Sequence, residues 1–532
     1  MRKTWVWTAV LLAFASGQAL RAQHPGGQPT GRQPSLPTFQ ITSRLVFLDV
    51  TVLDRHGRPV VTGLTKDDFR ITEDSRPQRI LSFETPQEHV ARAGEEEESA
   101  AAGHAPLTIF VLDLLDAKMQ NADQEESNLR NYLASLPRKL PAPAELMVIG
   151  NESLELVQSW TRSRNDLLDA LDHTHPDIPF MQENLYAFQM ERIAYSIDAL
   201  DQIAFQNQGV PGRKNVIWLG PGPGGLDPAG VPAWLYDKVD QVMHATANRL
   251  VDARISLFVI YPGVGAVLRQ SVQDSQVDLR GSDPFHSGFD FGVIATLTGG
   301  KLFYNRTDLN HEIGEAITFG SNYYTITYQP RGGEDNGRFR RIGVTLREPG
   351  LRAITKIGYF APEKGAPVDP QQRMLNALAV AARSTVPFTA LHVSAGDIVR
   401  QPNIQSVKLM VYLYPRGLGW IRTPDGKLEV HVILASASLS SSRRILGWRI
   451  QMRRLVSTAQ HRAQLGDTPI PFRVIVHIPR GTRTLRVVAE TESDGRMGTT
   501  DIARKTIDAA PALAAPPHLM PGHDAVPAGH SG

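Results

Sequence analysis

No cysteine occurs anywhere in the 532 residues. That absence excludes disulfide staples, thiolate metal sites and a cysteine nucleophile, so stability has to come from buried apolar area. An excess of one charge is lacking too: 56 Lys and Arg stand against 54 Asp and Glu, a formal net charge of +2. So even a balance argues neither for a nucleic-acid partner nor for a membrane surface, and no nucleic acid is expected as a partner. Beyond the N-terminus, no apolar run offers the ~20 residues of a membrane-spanning helix. What remains is an ordinary globular composition, 42% hydrophobic and 7% aromatic. The length suggests roughly three or four domains.

The chain opens on Arg2 and Lys3, the apolar run WVWTAVLLAFA and the small residues of ASGQALRAQ. This predicts a secretory signal peptide over residues 1–23, cut near Ala22. The alternative is an uncleaved anchor, for which the apolar run is short. An exported, cysteine-free protein points to the periplasm, the cell envelope or the extracellular space, with no transmembrane helix in the mature chain. Residues 24–38, rich in Pro, Gly and Gln, read as a flexible linker.

Residues 39–88 alternate apolar and polar side chains in FQITSRLVFLDVTVLD, FRITED and RILSFE, the period of strands in a small sandwich. Residues 89–105 hold the run Glu95 to Glu98 and read as an acidic linker. Over residues 106–330 the rhythm changes. Nearly continuous apolar runs (LTIFVLDLL, AELMVIG, NVIWL, ISLFVIY) alternate with helical patterns, and SNYYTITYQ closes the series. That alternation predicts a doubly wound α/β domain with a mostly parallel sheet. Residues 331–362 form a β-hairpin and 363–384 a linker; the strands before Glu84 and those after Ser321 flank the α/β stretch and are expected to pair with each other in a sandwich built from both flanks. Residues 385–508 read as a C-terminal β-sandwich, and 509–532 as a disordered tail.

Several stretches together resemble one family. GLTKDDFRITEDSRPQRILSFE, then GRKNVIWL, LTGGKLFYN, SNYYTITYQP and GRFRRIGVTLREPGLRAITKIGYFAP are similar, in this order, to blocks of the acidobacterial von Willebrand factor A-related domain proteins. The resemblance spans roughly residues 40–362. It implies an α/β domain of the von Willebrand factor A type in an exported protein, and no known reaction.

Domains of that type often carry a metal-ion-dependent adhesion site, D-x-S-x-S after the first strand with a Thr and an Asp from later loops. Mg²⁺ wants several oxygen ligands in octahedral array, which one carboxylate plus alternating hydroxyls supplies. Here the first strand ends in Asp113-Leu114-Leu115-Asp116-Ala117, so both serine positions are apolar. No threonine counterpart stands before Met181, and the fourth strand runs into Gly220-Pro221 where the second aspartate is expected. Asp113 and Asp116 are thus candidates only for a degenerate site holding Mg²⁺ or Ca²⁺ weakly through water. The plainer reading makes them helix caps or solvent-facing groups at the sheet's C-terminal edge.

WLGPGPGG, residues 218–225, matches G-x-G-x-x-G through Gly220, Gly222 and Gly225. A dinucleotide turn follows a first strand and opens directly into a helix. This one follows a late strand, and Pro221 and Pro223 remove amides that would hold a pyrophosphate. His173 and His175 lack a third ligand, and HSGFD contains no nucleophile elbow. The loop from Asp278 to Asp290 reads as a contact surface, because open α/β sheets bind ligands at such edges. The arginines of SSRRILGWRIQMRR predict a strand with a basic face, suited to solubility or to a polyanionic envelope partner. Tyr323 and Tyr324 read as packing residues. The expectation is a non-enzymatic exported protein that binds a protein or envelope polymer without a cofactor. The alternative is a metal-dependent adhesion protein or hydrolase built around Asp113.

Overall fold

The computed structural model describes residues 45–89, 106–115, 119–150, 153–173, 185–220, 222, 233–261, 283–285, 291–304, 309–331, 335–362, 370–401, 405–415 and 417–513. The leader, both N-terminal linkers (89 apart) and the tail beyond 513 lie outside them. The chain divides into two compact units, Met1–Val380 with Ser384–Ala390, and Ala381–Arg383 with Leu391–Gly532. Among the described residues no helix is long and apolar enough to cross a membrane.

The first unit begins with β1 (Val46–Leu53), β2 (Phe69–Glu73), β3 (Arg76–Gln78) and β4 (Ile80–Glu84). Next come β5 (Leu107–Asp113), helix α1 (Met119–Ser135), β6 (Lys139–Ile149), β7 (Leu154–Ser163) and α2 (Arg164–Asp172). Helix α3 (Leu185–Gln206), β8 (Lys214–Leu219), α4 (Ala233–Asp252) and β9 (Ile255–Tyr261) follow. The run ends with α5 (Phe291–Leu297), β10 (Lys301–Tyr304) and α6 (Leu309–Ser321). Strands β5 to β10 form one six-stranded sheet in the order β10-β9-β8-β5-β6-β7. All its pairings are parallel except β6 with β7.

Every residue of β5 and of β8 is buried, which explains their unbroken apolar runs. Phe110 and Leu112 point into a cluster with Leu129 and Leu133 of α1, Leu167 and Leu171 of α2, and Ile313 and Phe319 of α6. Side chains alternate along a strand, so Ile109, Val111 and Trp218 fill the opposite face, where Trp218 meets Phe291 of α5 edge-on at 4.9 Å. The sheet is therefore covered by helices on both sides.

The chain then adds β11 (Tyr324–Tyr328), β12 (Phe339–Leu346), β13 (Arg352–Ile354) and β14 (Gly358–Phe360). These do not extend the parallel sheet. β1 lies between β11 and β13, and β4 pairs with β11; β12 pairs with β2 and β14. Two four-stranded antiparallel sheets thus combine strands from before and after the α/β stretch. SNYYTITYQ was expected to close the α/β series, yet β11 sits inside the flanking sheet, in keeping with the expected pairing of strands after Ser321 with those before Glu84. Its full burial comes from neighbours on both sides and from aromatic packing of Tyr324 on Phe69 and Phe83. Tyr323 stacks on His89 at 4.3 Å. A half-buried ion pair ties this sheet to the α/β part. Arg254, after α4, donates through Nε to Asp49 Oδ2 of β1 at 3.1 Å and through Nη2 to Thr325 Oγ1 at 3.0 Å. Burial alone would raise the Asp49 carboxyl, and the guanidinium overrides it and holds it below the usual range.

The second unit contains β15 (Val393–Arg400), β16 (Ser406–Leu413), β17 (Ile421–Arg422) and β18 (Leu428–Leu439). It continues with β19 (Ile445–Ser457), β20 (Ile470–His477), β21 (Thr484–Thr491) and β22 (Met497–Ala503). One antiparallel sheet runs β15-β16-β20, the other β17-β18-β21-β22 with β19 paired to β18. Val407, Leu409 and Val411 of the first meet Val430, Val432, Leu434 and Val487 of the second in a common core. The period-2 burial of β16 and β20 is that of strands with one face inward.

Candidate functional site

Strand β5 is central in its sheet and ends at Asp113, the position from which the sequence predicted a weak cation site. Asp113 is 0% exposed. Its Oδ1 accepts a hydrogen bond from the Leu115 amide at 3.1 Å. Its Oδ2 accepts two, from Trp218 Nε1 at 2.9 Å and from the Gly222 amide at 2.9 Å. Trp218 comes from β8, where it stands opposite Val111, two residues before Asp113, and Gly222 comes from the turn that follows. Burial pushes the Asp113 carboxyl above its ordinary range, against the opposing effects of these donors and of the Arg192 charge. Arg192 of α3 donates through Nη2 to the Gly222 carbonyl at 2.6 Å, which clamps the turn from outside. Asp113 thus neither caps a helix nor faces solvent. Asp116 lies outside the described residues.

The turn explains its glycines by contact. Gly220 adopts a φ of +134°, and a Cβ there would stand 2.6 Å from Asp113 Cβ and 2.9 Å from its carbonyl oxygen. Gly222 has a φ of +63°, and its Cβ would stand 2.6 Å from a ring carbon of Phe291. The Gly220 amide donates to the Ile260 carbonyl at 3.0 Å, the Gly222 amide to Asp113. Both amides are committed to acceptors within the chain, so neither is free to hold a phosphate.

The remaining candidates are scattered. His173 is exposed at the end of α2, with Nδ1 2.6 Å from the Asp169 carbonyl, and His175 lies outside the described residues. Of the loop from Asp278 to Asp290, residues 283–285 are described. The arginine-rich stretch forms β19, which among the described residues pairs only with β18 and so presents an open edge. Arg449 reaches the Ile475 carbonyl of β20 at 3.0 Å, and Arg454 grips Glu429 through two bonds of 2.7 and 2.6 Å. Trp448, Met452 and Val456 share the outward face of that strand with exposures of 36%, 57% and 47%.

Sequence reasoning missed one cluster. Asp240 and His244 stand one turn apart on α4, and the His244 Nε2 lies 3.3 Å from Asp240 Oδ1 and 3.0 Å from Asp283 Oδ2. The D-x-x-x-H spacing was a usable signal, whereas Asp283 arrives from a separate loop.

No family model matches the chain, and no curated protein matches it. The resemblance to the acidobacterial von Willebrand factor A-related family therefore gains no support from either comparison. Among solved structures the chain is similar to the VWA domain of SpRpn10, at 12% identity over 40% of this chain and 95% of that one, with a TM-score of 0.20. A likeness this distant assigns no family.

Proposed function

We propose that this protein is an exported, non-enzymatic binding protein built on a von Willebrand factor A-like α/β unit with β-sandwich modules, and that it engages a protein or envelope polymer. The observation that carries the reading is β19, a strand of 13 residues with one open edge and an outward face of Trp448, Ile450, Met452, Arg454 and Val456. An open edge offers unpaired backbone groups to an added strand, and alternate side chains supply the selectivity. Arg449 and Arg453 along the same strand discourage pairing with a second copy through like-charge repulsion, and favour an acidic segment.

The site at Asp113 supports the non-enzymatic half of the reading. Its carboxylate is enclosed and already bonded, and no nucleophile with an adjacent base stands beside it among the described residues. The alternative, a cation-dependent adhesion protein or hydrolase, requires Asp113 to exchange these donors for a metal. Calorimetry with Mg²⁺, Ca²⁺ and Mn²⁺ that showed binding lost in Asp113→Ala would favour it. For the main reading, photo-crosslinkers placed at Met452 and Val456 are compared in the native envelope with one at Leu81, which is as exposed as Val456. A discrete adduct from the β19 positions alone is expected. Equal or absent crosslinking from them would remove β19 as the binding surface.

A further inference from the structure

Helix α4 buries Val239, Met243, Ala247 and Leu250 against its own unit. On a neighbouring stripe, four residues apart, it carries Asp240, His244 and Asn248. Asn248 fixes what lies opposite. Its Nδ2 donates to the Phe360 carbonyl at 3.0 Å, and its Oδ1 accepts from the Phe360 amide at 2.9 Å. Held so, the Phe360 ring stacks on the His244 imidazole at 3.8 Å and an interplanar angle of 24°. Phe285, fully buried, packs against both rings at 6.2 and 5.7 Å. Its amide donates to Asp283 Oδ1 at 2.9 Å, which turns Oδ2 towards the histidine.

The result is three side chains whose ligand-capable atoms all lie within 4.8 Å of one another. The His244 Nε2 is buried, yet neither carboxylate approach has the geometry of a hydrogen bond. The atoms converge on a shared point instead of on each other. Ligands about 2.1 Å from a tetrahedral ion stand about 3.4 Å apart. The separations of 3.0 and 3.3 Å from Nε2 are close to that edge length. The local charge favours a cation as well, because Asp283 and Asp237 both act on Asp240 as like charges beside one imidazole.

We propose that Asp240, His244 and Asp283 form a site for a divalent transition ion of the Zn²⁺ class. The imidazole ligand favours such an ion over Ca²⁺ or Mg²⁺, which prefer all-oxygen shells. The side chains of Asp240, His244 and Asp283 are 28%, 24% and 29% exposed, so the ion has a route in and a fourth position open to water or to a partner's ligand. Bound there, it would pin the segment at Asp283 to α4. The site is separate from Asp113 and needs no change in the hydrogen bonds around it.

Tag-free, chelator-stripped full-length protein is titrated calorimetrically with Zn²⁺, Mg²⁺ and Ca²⁺, and Co²⁺ is added as a spectroscopic probe. About one Zn²⁺ per chain is expected, with at least tenfold weaker binding of the other two ions. Asp240→Asn, His244→Gln and Asp283→Asn should each weaken Zn²⁺ binding about tenfold or more and abolish the visible Co²⁺ bands. His173→Gln, on an unconnected exposed histidine, should leave both unchanged. The two Asn variants keep the carboxylate's shape, so loss of binding with an unaltered circular dichroism spectrum isolates the ligand role. Absence of saturable Zn²⁺ binding, or binding that survives all three substitutions, would overturn the proposal.

Discussion

Replacing Asp113 by alanine removes the acceptor on which two elements depend. In the native fold its Oδ2 takes the Trp218 indole N–H and the Gly222 amide, each at 2.9 Å, inside a region closed to solvent. Two buried donors left without partners cost about 1–3 kcal/mol each. Removing the carboxyl also relieves its own burial, which here pushes its pKa up and offsets part of the loss. The net expectation is a loss of about 3 kcal/mol. Asp113→Asn keeps one accepting oxygen and turns an N–H₂ group towards the remaining donor, so about 1–2 kcal/mol is expected. Trp218→Phe removes one donor but leaves Oδ2 bonded to Gly222, again at about 1–2 kcal/mol. Urea unfolding followed by circular dichroism measures these shifts. The two units are fitted as separate transitions, because a single two-state fit does not hold for such a chain. Hydrogen exchange of peptides covering β5 and β8 assigns the loss to the correct unit. The double variant Asp113→Ala/Trp218→Phe should cost less than the sum of its parts, since the first change has already orphaned the indole. A cost below about 1 kcal/mol for Asp113→Ala, or strict additivity, would refute the buried arrangement.

Two further outcomes follow from the same unit. Gly220→Ala places a Cβ 2.6 Å from Asp113 Cβ at a φ of +134°, so a loss of about 3 kcal/mol or more is expected in thermal melts. Gly57→Ala, at a φ of +78° with open space around it, should cost only about 1–2 kcal/mol. A Gly220 variant no worse than the Gly57 variant would remove the close approach as the reason for that glycine. Glu145 of β6 is 0% exposed, and burial pushes its carboxyl well above the usual 4.5. Both its oxygens lack a hydrogen-bond partner. Between the unfolded value and the raised native one, the folded state binds more protons, so stability falls as pH rises, by up to about 1.4 kcal/mol per pH unit. Glu145→Gln should flatten that decline and be the more stable form at pH 8, with little difference at pH 4. Parallel stability–pH curves for the two proteins would sink the argument.

Legibility from sequence tracks how much of each element's environment is written into its own side chains. LTIFVLDLL and NVIWL are continuous apolar runs because both their faces are covered, and that pattern is visible residue by residue. Strand β7, LELVQSWTRS, escaped notice because it is an antiparallel edge strand of mixed burial with an interrupted register. The strand in SNYYTITYQ was visible, and its place after Ser321 pointed to pairing with the strands before Glu84, but its register between β1 and β4 depends on residues far away in the chain. The same limit governed both sites. The missing serines and second aspartate could be read directly, whereas Trp218, one apolar residue among several in NVIWL, gave no sign that its N–H faces a carboxylate. Asp240 and His244 share a helix face that the spacing reveals, and their third member arrives from a loop of no marked pattern.

A buried carboxylate at the end of a central strand needs compensation from somewhere. A cation with hydroxyl ligands is one way to supply it, but Leu115 and Ala117, the alternate positions after Asp113, offer no hydroxyl. Here the compensation comes from an indole N–H, a turn amide brought close by two glycines, and the Arg192 guanidinium acting on the same turn. These groups are covalently part of the chain and need no exchangeable ion, so the end of β5 serves to join β8 and its turn to the centre of the sheet. Glycine at 220 then follows from the same requirement as tryptophan at 218. The indole can reach the carboxylate, and the next turn can deliver its amide, only if nothing larger than hydrogen stands between the two strand ends. That coupling gives the WLGPGPGG turn a structural purpose that its resemblance to a nucleotide-binding pattern conceals.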